Sequence, residues 1–150
     1  MKIVLTTVDE ASVTILGKKV GQISRGYLLL VGFTSGDNTE IVSKMVDKVL
    51  NLRVFPDEAG KINLSLADVN GSILSISQFT LYANAKGSRR PSFIDALNPA
   101  EAEKLYDYFN KCIEERYGHL STGVFGADMK VSSINDGPFT LVLDSKELFQ

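Results

Sequence analysis

The sequence predicts an α+β fold: a single domain over residues 1–150, with a mostly antiparallel, barrel-like β-sheet core and two principal amphipathic helices packed on it. Three observations carry that expectation. The chain opens with short apolar runs separated by turn residues, Tyr27 to Phe33 is almost unbroken apolar sequence, and two later stretches repeat apolar residues at helical spacing. A length of 150 residues suits one ordinary domain with a core of its own, and nothing in the composition suggests a split.

Taken in order, Lys2–Val8 and Ser12–Leu16 read as two strands joined by the polar Asp9-Glu10-Ala11, with Gly17-Lys18 turning into a third strand, Val20–Ile23. Tyr27–Phe33 reads as a strand buried on both faces near the centre of the sheet. Asp37-Asn38-Thr39-Glu40 opens a helix whose residues Ile41, Val42, Met45, Val46, Val49 and Leu50 form one stripe, Met45 being a core filler. Leu52–Phe55 is a short run followed by a turn at Pro56–Gly60. Asn70-Gly71 predicts a hairpin between the preceding segment and a strand from Ile73 to Ala83. Asn98-Pro99-Ala100-Glu101 carries an N-cap, a proline at the first helical position and a Glu three residues after the cap. The helix that follows buries Ala102, Leu105, Tyr106, Phe109, Cys112 and Ile113 and closes at Gly118, with His119 placed to interact with its C-terminus. A last pair of strands, Lys130–Ile134 and the run from Phe139, flanks Asp136-Gly137-Pro138, which reads by composition as a hairpin turn with a trans proline.

The stretch that draws attention is Ser77 to Phe93. Ser77, Gln78 and Thr80 set two hydroxyls and an amide within four residues of an apolar strand. Each costs roughly 1–3 kcal/mol if buried without a partner. Lys86, Arg89 and Arg90 follow on a loop with Gly87. Two readings stand: a polar strand end running into a solvated loop, or a site for a phosphate-bearing ligand that satisfies both halves.

A net charge of −2 argues against a binder that is basic all round, though not against a local basic patch. One cysteine, Cys112, allows no internal disulfide, and with one histidine the chain has too few His and Cys ligands for a zinc site. Neither a metal nor a cofactor is expected. The N-terminal residues lack the apolar segment of a signal peptide, and no apolar run reaches the length of a membrane span, so a soluble cytoplasmic protein is expected.

Two stretches together, Ser77-Gln78-Phe79-Thr80 and Asn135-Asp136-Gly137-Pro138-Phe139-Thr140, resemble the signature motifs of the D-aminoacyl-tRNA deacylases. The likeness extends to Ala11–Thr14, Asn51–Phe55, Lys86-Gly87, Arg90–Phe93 and Thr122–Met129, in the same order and at matching spacing. The chain departs from the family pattern at Thr6-Thr7, where Gln-Arg is usual, and at Phe139, where valine is commoner. The first departure bears on how the Gly-Pro loop is held.

The resemblance implies an enzyme that hydrolyses the ester between a D-amino acid and the terminal ribose of tRNA, working as a homodimer without a cofactor, a membrane or DNA. It implies that Gly137-Pro138 is cis, reaches the partner's active site and rejects L-amino acids, and that Ser77, Gln78, Phe79 and Thr80 line the same pocket. It further implies that Phe125 and Met129 hold the terminal adenosine, and Lys86, Arg89 and Arg90 would lie near tRNA phosphates. An activated ester asks for a positioned water and an oxyanion donor, which a backbone amide of Gln78–Thr80 can supply. Thr80 as nucleophile would need an adjacent base, and neither motif places a histidine or a catalytic carboxylate beside it. Two alternatives remain at this point: a non-catalytic tRNA-binding module, and an esterase that uses the Thr80 or Ser77 hydroxyl.

Overall fold

The structure, a computed structural model, describes residues Met1–Gln150. Its frame is a mixed sheet of β1 (Lys2–Ile15), β2 (Lys18–Ile23), β3 (Gly26–Gly32), β6 (Ser72–Ser77), β7 (Leu120–Thr122) and β8 (Lys130–Asp144). A separate hairpin joins β4 (Arg53–Pro56) to β5 (Ile62–Ser65), and the helices are α1 (Thr39–Asn51), α2 (Pro99–Arg116) and the short α3 (Ser145–Phe149). The antiparallel pairs are β1 with β2, β3 and β8, and the parallel ones are β3 with β6 and β6 with β7.

Strand β3 shows why the sheet carries a core on each face. Its alternate residues Tyr27, Leu29 and Val31 join Val42, Met45, Val46 and Val49 of α1 and Tyr106, Phe109, Cys112 and Ile113 of α2. Leu28 points the other way, into a second cluster with Val8, Val13, Ile23, Leu74 and Ile76. That second cluster is enclosed because the sheet curls: the Ser121 hydroxyl on β7 donates to the Gln22 carbonyl on β2 at 3.2 Å, joining its two ends into a nearly closed barrel. Burying side chains such as Met45 and Phe109 contributes roughly 1.5–3 kcal/mol each.

Both helices start where the capping chemistry places them. Asn38 Oδ1 accepts from the Ile41 amide at 2.9 Å, and Asn98 Oδ1 accepts from the Glu101 amide at 3.0 Å while its Nδ2 donates to Glu101 Oε2. Arg116 at the end of α2 reaches back to Asp47 and Ser43 of α1, locking the pair. Gly118 follows at φ +82°, a conformation that ends a helix without a Cβ clash.

Five expectations are corrected. Asp9-Glu10 does not turn the chain: β1 runs unbroken from Lys2 to Ile15, because β8 pairs along it and the two acidic side chains simply face solvent. Asn70-Gly71 is a turn but not a hairpin, since β5 pairs with β4 and β6 lies parallel to β3. That parallel pairing brings Ser72 so near Gly26 that a Cβ there would sit 1.8 Å from the Ser72 carbonyl oxygen. The strand from Ile73 stops at Ser77 and gives way to a 3-10 turn over Phe79–Tyr82. Asp136-Gly137 lies within β8, and the Gly137-Pro138 bond is cis, as the family resemblance implies and the turn reading does not. His119 packs its ring edge-on against Tyr117, 5.6 Å between centroids, and makes no hydrogen bond to the last carbonyls of α2. No helix is long and apolar enough to cross a membrane.

Candidate active site

A cavity of about 570 Å³ lies where β6 ends. Ile76, Ser77, Gln78 and Phe79 form one wall, Phe93 with Ala96–Pro99 and Ala102 a second, and Phe125–Ala127, Met129 and Val131 a third. Three segments that are distant in sequence therefore meet, and two of them are motif segments.

Local geometry explains the abrupt end of β6. The Gln78 amide donates to the Val31 carbonyl at 2.8 Å, one last ladder bond, after which the chain coils back over β3. Gly32 makes room for the coil: a Cβ there would meet the Gln78 carbonyl oxygen at 2.8 Å and Leu81 Cβ at 3.1 Å. Because the 3-10 turn begins at Phe79, the amides of Phe79 and Thr80 have no partner inside it.

Beneath the cavity floor, the Ser75 carbonyl accepts from the Tyr106 hydroxyl at 2.8 Å and from the Gly123 amide at 3.1 Å. Burial raises the Tyr106 pKa above its ordinary value, outweighing its hydrogen bonding with Ser75, so the phenol stays a donor. The Tyr106 ring stands 6.1 Å from that of Phe125, which fixes the third wall against α2. At the mouth, Phe79 and Phe93 meet edge to face at 5.2 Å, both about half exposed, at 52% and 44%.

The predicted residues divide into three groups. Ser77, Gln78, Phe79, Phe125 and Met129 line the cavity together. Thr80 does not; its Oγ1 bonds Gln78 Nε2 at 2.5 Å, so it braces the amide side chain rather than facing the cavity. Lys86, Arg89 and Arg90 are exposed and form no ion pair, on a loop closed at its base by reciprocal amide bonds between Asn84 and Ser92 at 2.8 Å. Gly137 and Pro138 are exposed on β8 and touch no wall of this chain's cavity.

Sequence reasoning missed the wall from Ala96 to Ala102, where Asn98 and Pro99 read only as a helix start. Phe93 stands in the Arg90–Phe93 motif stretch, where nothing in the sequence alone assigns it to the cavity. No residue in the cavity wall is titratable: the lining is apolar side chains, amides and one hydroxyl.

The family described as D-Tyr-tRNA(Tyr) deacylase matches residues 4–144. A D-aminoacyl-tRNA deacylase of Lactobacillus acidophilus is 54% identical over 144 residues, covering 96% of this chain and 99% of the relative. The solved structure of a c-Myc DNA unwinding element binding protein superposes with a TM-score of 0.90 at 40% identity, over 96% of this chain and 98% of that one. A probable eukaryotic D-amino acid tRNA deacylase shares the fold at a TM-score of 0.83 and 20% identity, over 95% of this chain and 97% of that one. On the family match and the near-complete coverage, the chain belongs to the D-Tyr-tRNA(Tyr) deacylase family.

Proposed function

We propose that this protein hydrolyses the ester bond of D-aminoacyl-tRNA, releasing the D-amino acid and free tRNA. The observation that carries the reading is the cavity itself. It gathers Ser77–Phe79 and the Phe125–Met129 segment around a space that suits one nucleoside with its attached amino acid. The aromatic and thioether side chains of Phe79, Phe93, Phe125 and Met129 offer flat apolar contacts to the terminal adenine.

The chemistry follows from what the walls contain. With no side-chain base beside the Ser77 or Thr80 hydroxyl, attack falls to a water assisted by the substrate's own 2′-hydroxyl. The amide of Phe79, a cavity residue, stabilises the developing oxyanion, a well-placed donor contributing about 2.7–4 kcal/mol. The Gln78 amide is excluded from that role because Val31 occupies it.

Gly137-Pro138 selects chirality in a second copy of the chain. Support for a homodimer comes from β8, which pairs only with β1 and presents Val131, Ile134 and Val142 at 38%, 53% and 65% exposure. Backbone atoms of the segment would occupy the space that an L side chain needs, while a D side chain would point elsewhere. Glycine has no side chain to reject, so glycyl-tRNA is also a substrate. The arginines of the loop bind tRNA backbone without reading sequence.

Turnover of D-tyrosyl-tRNA and L-tyrosyl-tRNA tests the activity. Mixed dimers test the shared site: one subunit carries Gly137→Ala and the other Phe125→Asp, and discrimination returns only where a wild-type cavity faces a wild-type Gly137. Duplex DNA as a competitor separates RNA recognition from the DNA binding that the c-Myc element protein's name describes.

A further inference from the structure

The pairing of β1 with β8 shifts register at two places, between Val8 and Glu10 and, with the longer insertion on β8, between Thr6 and Val8. Thr6 stands opposite Thr140 and Val8 opposite Asn135, so the single residue Thr7 on β1 faces four residues, Asp136–Phe139, on β8. Pro138 has no amide hydrogen to give the ladder. Gly137 takes φ +118°, where L side chains are rarely found. The exposed Gly137-Pro138 segment therefore depends on what holds its base.

One side chain does so. Thr7, 4% exposed, donates its hydroxyl to the Asp136 carbonyl at 2.9 Å, the only side-chain hydrogen bond that reaches Asp136–Phe139. Thr7 is itself fixed, because its backbone pairs with Tyr27 in the centre of the sheet. Its neighbour Thr6 is 8% exposed, and its Oγ1 lies 3.3 Å from Thr140 Oγ1, outside the bulged segment. The Thr7 bond thus joins the rigid core to the carbonyl one peptide before Gly137.

We propose that Thr7 is a positioning residue that aims Gly137-Pro138 and thereby sets how strictly the enzyme separates D from L esters. The inference rests on the reading that this segment faces the aminoacyl group. Without the hydroxyl, the bulge rotates about its base and the space an L side chain needs opens. Discrimination then falls chiefly because L-ester hydrolysis rises.

The test measures kcat/KM for D- and L-tyrosyl-tRNA in the full-length wild type, Thr7→Val, Thr7→Ala, Thr7→Ser, Thr6→Val and Gly137→Ala, with thermal unfolding of each. Thr7→Val is expected to lower the D/L ratio by roughly tenfold, the factor equivalent to one hydrogen bond. Thr7→Ser keeps the hydroxyl and restores the ratio, and Thr6→Val, which removes a buried hydroxyl from the same strand, leaves it unchanged. Should Thr7→Val fail to fold, Thr7→Ala carries the same prediction. An unchanged ratio in folded Thr7→Val or Thr7→Ala, beside a lowered one in Gly137→Ala, overturns the role of Thr7 and leaves the Gly137-Pro138 reading standing. An equal fall in Thr6→Val also overturns it, since general loosening of the strand pair would then suffice. A wild type that does not discriminate, or a Gly137→Ala variant that discriminates normally, removes the underlying reading and the inference with it.

Discussion

The Tyr106 hydroxyl donates to the Ser75 carbonyl at 2.8 Å, one residue before the cavity wall begins at Ile76. Through this bond α2 holds β6 and, by the Phe125 ring, the opposite wall of the cavity. Tyr106→Phe keeps the ring and removes the donor, while Gly123 still satisfies one lone pair of the carbonyl. The variant should lose about 1 kcal/mol of stability in urea unfolding, the usual worth of one buried hydrogen bond. A variant as stable as wild type would show that the Gly123 bond alone fixes Ser75.

The elements that packing dictates locally were legible in the sequence, and those that depend on distant pairing were not. Asn38 and Asn98 mark both helix starts because capping is a contact over three residues, and the 3.6-residue stripe of Val42, Met45, Val46 and Val49 matches the buried face of α1. Asn70-Gly71 misled because a turn dipeptide does not say which strand comes alongside; the core needed β6 parallel to β3, and the turn yielded to it. The motif segments were visible as site candidates. The bond from Thr7 to Asp136 spans 129 residues, so Thr7 looked only like a departure from the family pattern until the fold joined its two ends.

Thr80 separates two mechanisms. Its Oγ1 bonds Gln78 Nε2 and does not face the cavity. Thr80→Val should therefore lower kcat by roughly tenfold or less, whereas loss of an attacking nucleophile costs about 10³-fold or more. Single-turnover hydrolysis of D-tyrosyl-tRNA measures the difference, and trapping of an ester on Thr80 would contradict the water mechanism.

The pH profile is a consequence of walls without titratable groups. Between about pH 6 and 8, log kcat should show no inflection that belongs to an enzyme side chain, only that of the substrate's own α-amino group. His119, whose ring packs on Tyr117, is the sole histidine, and His119→Ala should leave the profile in place. A folded His119→Ala variant with its activity abolished would identify a base that the cavity does not contain.

Arg89 and Arg90 are free of ion pairs and exposed, so their charges serve no interaction within the chain. The double reversal Arg89→Glu, Arg90→Glu should weaken tRNA binding and flatten its salt dependence, with Tm almost unchanged. Titration of uncharged tRNA at two salt concentrations checks this, and unaltered affinity would take the loop out of the interface.

The central claim is that the enzyme hydrolyses D-aminoacyl esters of tRNA and spares L ones, and one assay tests it most directly. The purified protein is incubated with D-tyrosyl-tRNA, L-tyrosyl-tRNA and glycyl-tRNA, and release of each amino acid is followed. Rapid loss of the D ester, measurable loss of the glycyl ester and an intact L ester are the predicted result. Binding of all three without hydrolysis of any would contradict it, and would leave a tRNA-binding module in place of a chiral proofreading enzyme.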